Sequence, residues 1–267
     1  MTKLRTFSTD DEVEKILSQL PHREASEFIR NSIREKSAKN MQCVILCGGV
    51  GSRLYPLSKD IPKSMIKINN KPFIEYQIEL LKKNGIKDIV LCVGHLSEQI
   101  KNHLGDGRKF GVRLTYGDPK DAKYDTGGVI KAVEENLKKE FFILYGDSYL
   151  PVDFQEIMNI FHIFRKKGLM TVFKNFNKFD RSNVEIEGNL VTVYDKTASK
   201  LIYIDYGLNV LDKTVIHHLP HRKKISLDEI FRMLIDKKEL GAHEVDKRFY
   251  EIGSFDGMKD FEELMKK

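Results

Sequence analysis

The chain has 267 residues, 41% of them hydrophobic and 31% charged, with 45 lysines and arginines against 39 aspartates and glutamates and a formal charge of +6. That length suits one large α/β domain or a domain with a small appendage, and the composition is that of an ordinary globular protein. No stretch approaches about 18 consecutive apolar residues, and the start MTKLRTFSTDDEVEKIL lacks the apolar region of a secretory signal, so no membrane partner is expected.

The three cysteines (Cys43, Cys47, Cys92) form no C-x-x-C pair and are odd in number. They read as small core residues in a reducing compartment, which makes a cytoplasmic location the expectation.

In chain order, residues 1–40 stand apart. KLRTFS reads as a strand, and TDDEVEKILSQL as a helix with Val13, Ile16, Leu17 and Leu20 on one face. HREASEFIRNSIREKSAK repeats Ala25, Phe28, Ile29 and Ile33 at the same spacing. So short a unit cannot bury both apolar stripes alone. Residues 3–36 resemble ribbon-helix-helix modules, in which two chains pair strands and interlock helices. The resemblance implies a homo-oligomer formed through residues 1–40. Binding of DNA is the competing reading, in which the larger domain senses a sugar nucleotide. The segment holds eight basic and seven acidic residues, and Phe7 shares a strand face with Lys3 and Arg5, so a nucleic-acid partner is disfavoured.

From Met41 the chain alternates strands and helices. MQCVILC, IKDIVLCVG, VRLTYG and EFFILYGD read as strands. PFIEYQIELLKKNG, LSEQIKNHLGDG and GGVIKAVEENLKK read as the helices between them. Repeated strand–helix–strand units predict a mostly parallel, Rossmann-like sheet flanked by helices on both faces, over residues 41–267. Further on come helix FQEIMNIFHIFRKKG, strand LMTVFKN, a hairpin in NVEIEGNLVTVYDK turning at Gly188-Asn189, and strand YIDYGLNVLD. Helix SLDEIFRMLIDKKE, strands GAHEVD and RFYEIG and a helix from Ser254 close the chain.

The segment LCGGVGSRLYPLSKDIPKSM carries the chemistry. Gly48, Gly49 and Gly51 follow the first strand, where an open α/β sheet binds its ligands. They let backbone N–H groups approach a phosphate chain or a base edge. Arg53 offers a planar fork for phosphate oxygens and Lys63 a point charge. The spacing matches neither a P-loop nor a G-x-G-x-x-G turn that enters a helix directly. Asp147, at the end of the apolar strand FFILYGD, is either a helix N-cap or a hard ligand for a divalent cation.

GGVGSRLYPLSKDIPKSM resembles the signature loop of the sugar-1-phosphate nucleotidyltransferases, with Ser52 and Ser58 where that loop has threonine. The similarity continues through KPFIEYQIELLKKNGIKDIVLCVG, DTGGVIKAV, FILYGDSYL, NVEIEGNLVTVYDK and ISLDEIFRMLIDKKELGAHEVDKRFYEIGSFDG, in matching order from about residue 41 to 265. Within the family the likeness is to the heptose- and mannose-1-phosphate guanylyltransferase branch.

The resemblance implies that an NTP and a sugar 1-phosphate give an NDP-sugar and pyrophosphate, with GTP favoured. Transfer of a cytidylyl or uridylyl group to another phosphorylated substrate is the alternative. By the same resemblance Arg53 and Lys63 are catalytic, on the β/γ-phosphates and on the α-phosphate or attacking phosphate. Leu46, Gly48, Gly49, Gly51, Ser52, Thr126 and Gly127 bind the nucleotide. Lys196, Gly146 and Glu185 serve the sugar phosphate, Glu185 at its hydroxyls. Asp147 and Glu251 hold Mg2+, Glu251 standing where the family has aspartate. His217, His218 and His221 are expected at the surface, because an ionised nucleophile needs no general base.

Overall fold

The computed structural model describes residues 41–49, 51–117, 124–220 and 224–266. The ribbon-helix-helix expectation for residues 1–40 and the placement of His221 lie outside the described residues.

The strands in chain order are β1 (Gln42–Leu46), β2 (Lys67–Ile68), β3 (Lys71–Pro72), β4 (Asp88–Cys92), β5 (Arg113–Gly117), β6 (Glu140–Tyr145) and β7 (Ser148–Tyr149). They continue with β8 (Gly168–Lys174), β9 (Val184–Glu187), β10 (Leu190–Tyr194), β11 (Tyr203–Asp212), β12 (Leu240–Val245) and β13 (Tyr250–Glu251). The helices are α1 (Phe73–Lys83), α2 (Ser97–Leu104), α3 (Thr126–Ala132), α4 (Phe154–Phe164), α5 (Lys213–His217), α6 (Leu227–Asp236) and α7 (Phe255–Leu264).

Nine strands form one sheet in the order β5-β4-β1-β6-β11-β8-β12-β10-β9. β5, β4, β1 and β6 are parallel neighbours. β1, β4 and β6 read as mostly apolar runs, and every residue of β4 is buried, whereas the edge strand β5 is partly exposed. Past β6 the sheet is mixed. β11 runs antiparallel to β6 and β8, β12 runs parallel to β8, and β9 and β10 form an antiparallel hairpin. The parallel expectation thus describes the first half of the sheet only. Between β8 and β11 the chain carries a hairpin and no crossover helix, so β11 returns antiparallel. The hairpin turns at Gly188-Asn189 as its sequence predicts, with Gly188 at φ +61°.

Several helix N-termini are closed by side chains. Ser226 and Glu229 form a reciprocal capping box at α6, Asp153 accepts from the Gln155 and Glu156 N–H groups at α4, and Ser254 accepts from Gly257 N–H at α7. A large core includes Val44, Ile143, Met170, Leu211, Phe231 and Leu240. A satellite cluster of Leu54, Ile66, Phe73, Tyr76, Ile252 and Phe261 lies beside the glycine loop. In it the Phe261 ring meets Phe73 edge-on at 5.0 Å and Tyr76 at 5.3 Å, so α7 is fastened to α1 and to the loop.

Candidate active site

Leu46 ends β1 with Cys92 on one side and Tyr145 on the other, and the glycine loop leaves the sheet at this carboxyl edge. Gly48 packs close to Gly94, where a methyl group would come 3.1 Å from the Gly48 backbone. A methyl on Gly49 would meet nothing within 4 Å, so its backbone faces open space. Gly51 sits at φ +67°, a left-handed conformation that favours glycine. Its carbonyl accepts from the buried Ser58 hydroxyl at 2.7 Å. A short turn over Ser52–Leu54 follows; it buries Leu54 and leaves Ser52 and Arg53 exposed. A second turn, Lys63–Met65, brings Lys63 back to the crevice.

On the neighbouring strand, Gly146 N–H donates to Leu46 O at 3.1 Å. A methyl on Gly146 would lie 2.6 Å from that carbonyl oxygen and 3.0 Å from Cys47 Cα, so no side chain fits. Gly146 is therefore a packing residue that brings Asp147 against the loop, not a group lining the cleft. Gln77 of α1, fully buried, donates to Tyr145 O at 2.8 Å and to Ser148 O at 2.7 Å, clamping the turn that carries Asp147.

Lys63 Nζ lies 2.5 Å from Asp147 Oδ2. The β13–β7 ladder sets Glu251 opposite Ser148, one residue from Asp147. The Glu251 carboxylate accepts from Gly253 N–H and, at 2.6 Å, from the Ser254 hydroxyl. A methyl built on Gly253 would stand 2.9 Å from Lys63 Nζ and 3.2 Å from Arg53 Nη2, and would also crowd Glu251 Oε2. Arg53, Lys63, Asp147 and Glu251 thus converge at one place, as their sequence contexts imply.

Arg53, Asp147 and Glu251 share with Lys196 a cleft of about 410 Å3. Lys196 Nζ pairs there with Asp228 Oδ1 at 2.9 Å. Glu185 is absent from the lining. Strand alternation buries Val184 and turns Glu185 outward, exposed opposite Val193 on the hairpin. The sequence reading also missed residues that do line the cleft, above all Asp205, Tyr145, Tyr194 and Tyr206. The signal for Asp205 was a carboxylate within a mostly apolar strand, two positions before a glycine. Burial raises the carboxyl pKa of Asp205 above its ordinary value and pushes up the phenols of Tyr145 and Tyr194.

Thr126 and Gly127, expected beside the nucleobase, contact the α6 approach. Thr126 Oγ1 accepts from Leu227 N–H at 2.8 Å. A methyl on Gly127 would fall 2.8 Å from Ile230 Cδ1 and 2.9 Å from Ile225 O. The small residue here permits close packing of α3 on that segment. All three cysteines are buried and free, and burial pushes the Cys47 thiol up to about 12, so none is a poised nucleophile. His217 and His218 are exposed, and His217 pairs with Glu134 at 2.8 Å.

No group of three or more histidine, cysteine, aspartate or glutamate side chains positioned to hold a metal occurs among the described residues. Two carboxylates, Asp147 and Glu251, line the same cleft. That donor set suits Mg2+, which takes one or two carboxylates and completes its shell with water and phosphate oxygens. No described helix is long and apolar enough to cross a membrane.

A D-glycero-alpha-D-manno-heptose 1-phosphate guanylyltransferase of Campylobacter jejuni is 33% identical over 216 residues, spanning 80% of this chain and 95% of that protein. A choline-phosphate cytidylyltransferase of Streptococcus pneumoniae is 42% identical over 110 residues, 41% of this chain and 46% of that one. The crystal structure of HddC from Yersinia pseudotuberculosis superposes with a TM-score of 0.72 at 23% identity, over 84% of this chain and 99% of that one, a likeness of fold. Residues 42–265 match the family described as nucleotidyl transferase, to which the chain belongs.

Proposed function

We propose that residues 41–267 transfer a nucleotidyl group from an NTP to a sugar 1-phosphate, giving an NDP-sugar and pyrophosphate, with GTP the favoured donor. The observation that carries this reading is the convergence of Arg53, Lys63, Asp147 and Glu251 at the cleft that follows the glycine loop. The heptose guanylyltransferase similarity supports the choice of sugar phosphate and of GTP.

The reaction joins two anions, so catalysis lies in positioning and in charge neutralisation. An oxygen of the acceptor phosphate forms a bond to the α-phosphorus. The bond from that phosphorus to the β-bridging oxygen breaks, and its electron pair leaves with pyrophosphate. The attacking oxygen is already ionised and requires no base. Arg53 holds the β/γ-phosphates and receives the charge that develops on the leaving group. Lys63, released from Asp147, serves the α-phosphate, and Lys196 holds the acceptor phosphate. The open backbone at Gly49 lets the nucleotide lie against the loop. Asp147 and Glu251 would hold Mg2+, which when bound neutralises phosphate charge.

In the same reading residues 1–40 pair between copies of the chain and the enzyme works in the cytoplasm. The two apolar stripes of that segment and the three free thiols support these assignments. A salt-dependent gel shift of duplex DNA, lost on deleting residues 1–40, would overturn the oligomerisation role in favour of a DNA-binding one.

The test of the main reading is pyrophosphate release across a panel of NTPs and phosphorylated acceptors. Turnover is expected with GTP, and Arg53→Ala is expected to lower kcat by about 100-fold or more, the scale of losing one preorganised charge donor. Turnover that survives Arg53→Ala intact refutes the role given to Arg53.

A further inference from the structure

Lys63 and Asp147 carry separate duties in the proposed reaction, yet they stand joined. Lys63 Nζ lies 2.5 Å from Asp147 Oδ2, with the two side chains only 14% and 28% exposed. A pair so sheltered is screened less than one on the open surface. Asp147 Oδ1 receives only a long contact from the Ser148 hydroxyl, at 3.3 Å. The ammonium is the main partner of this carboxylate.

The surroundings single out Asp147 as the charge that Lys63 answers. Glu251 is served from its own segment, where its carboxylate accepts from Gly253 N–H and from the hydroxyl of Ser254, the cap of α7. The backbone under Lys63 is fixed as well. Met65 N–H donates to Pro62 O at 2.8 Å, Ile66 N–H donates to Lys63 O at 3.2 Å, and Ser64 is buried. Turning the ammonium away from Asp147 therefore needs only the torsions of its flexible four-carbon stem. Gly253 leaves room beside it, since a methyl there would stand 2.9 Å from Nζ.

An ammonium and a divalent cation compete for such a carboxylate. An Mg2+–carboxylate contact is about 2.0–2.1 Å long, which at Oδ2 falls inside the space that Nζ fills. At Oδ1 the metal would face the ammonium across one carboxylate, and like charges repel strongly in a sheltered site. A phosphate offers Lys63 another anion.

We propose that Lys63 is the resident counter-ion of Asp147: without nucleotide it neutralises the carboxylate and weakens its hold on a divalent cation, and a nucleotide phosphate draws it off and opens the site. The inference rests on the reading of Asp147 as a cation ligand and of Lys63 as a phosphate contact, and adds that each role is free only when the other is taken up. Nucleotide and metal then bind with positive coupling, and linkage makes the effect reciprocal. The free chain holds little metal until a nucleotide arrives.

The experiment titrates the full chain with Mn2+, read by electron paramagnetic resonance, in the presence and absence of GMP. GMP presents a phosphate to Lys63 but lacks the β- and γ-phosphates. Without nucleotide, Lys63→Met is expected to bind Mn2+ at least about tenfold more tightly than wild type, as removal of a cation facing the site implies. Lys63→Arg keeps the charge and should bind as weakly as wild type. Adding Asp147→Asn to Lys63→Met should remove the gain. GMP should tighten Mn2+ binding to wild type by at least about fivefold, the lower end of ordinary coupling, and far less in Lys63→Met.

Equal Mn2+ affinity in wild type and Lys63→Met overturns the inference, as does a gain that survives Asp147→Asn. The GMP effect is read on the wild type, so it judges the proposal even where a variant fails to fold, and its absence overturns it. Pyrophosphate release by the wild type, followed in parallel, separates this inference from the proposed function. Turnover with equal affinities overturns the exchange and leaves nucleotidyl transfer standing. Tighter Mn2+ binding in Lys63→Met, without turnover on any NTP and acceptor, upholds the exchange and overturns the transfer.

Discussion

Two glycines of the site should fail in opposite ways when each receives one methyl group. At Gly146 the added carbon would stand 2.6 Å from Leu46 O and 3.0 Å from Cys47 Cα. Both are backbone atoms of a buried strand end, well inside ordinary van der Waals separation. They cannot rotate away as a flexible side chain could, so β6 must retreat from β1. Overpacking of this kind costs about 1–3 kcal/mol. Loss of the buried Gly146–Leu46 hydrogen bond adds about 1–3 kcal/mol. The sum, about 2–6 kcal/mol, corresponds to a fall of about 4–24 °C in Tm for a domain of this size. At Gly49 the methyl meets nothing within 4 Å. Gly49→Ala should shift stability by less than about 0.5 kcal/mol yet raise the KM for the nucleotide, because it occupies the space the ligand must enter. Thermal denaturation and steady-state kinetics on both variants check this. A Gly146→Ala protein as stable as wild type, or a Gly49→Ala protein with unchanged KM, would refute the division of roles between packing and binding.

Other perturbations address the charges. Lys63→Met should lower kcat by about 100-fold or more with a minor stability loss, since the Asp147 side chain keeps 28% of its exposure and stays partly solvated; unchanged kcat counts against Lys63 as a phosphate contact. Lys131 is 7% exposed and donates to Glu134 and to the carbonyls of Ile216 and His217, so Lys131→Met should destabilise by about 2–4 kcal/mol in a urea titration at pH 7. The Lys131 hydrogen bond, foremost among several causes, holds the Glu134 carboxyl below its ordinary value of 4.5. Its stabilisation is present above that pH and fades as pH falls through the depressed native value, so the gap between wild type and variant should narrow in acid. Removing divalent metal with EDTA should abolish pyrophosphate release, and Asp147→Asn should weaken Mn2+ binding measured by electron paramagnetic resonance without nucleotide present.

Local signals in the chain carried much of this structure. The apolar run before Gly48 and the Gly188-Asn189 turn each act within a few residues, and each appears where the sequence puts it. Strand direction past β6 is not local. YIDYGLNVLD would read the same in a parallel or an antiparallel ladder, and only the missing crossover helix before it hints at the outcome. The glycines show a similar limit. Gly49 and Gly127 are alike in sequence context, each beside another glycine after a turn, yet one faces open space and the other the side chain of Ile230 from a helix a hundred residues on. Glu185 sits one position from a buried valine, so its direction was fixed by which face of a distant hairpin meets the core. Gln77 could not have been singled out, because a glutamine within an amphipathic helix carries no mark of the two carbonyls it reaches.

The sheet's mixed construction has a further consequence. The β9–β10 hairpin is joined to the rest by single register pairs, Leu190 with Gly241 and Tyr203 with Val184. The parallel strands that frame the glycine loop are each sewn to their neighbours over four or five consecutive pairs. Under the proposed function, changes of register in the hairpin would leave these longer ladders paired, so acceptor preference would be free to drift while the strands behind the glycine loop keep their register.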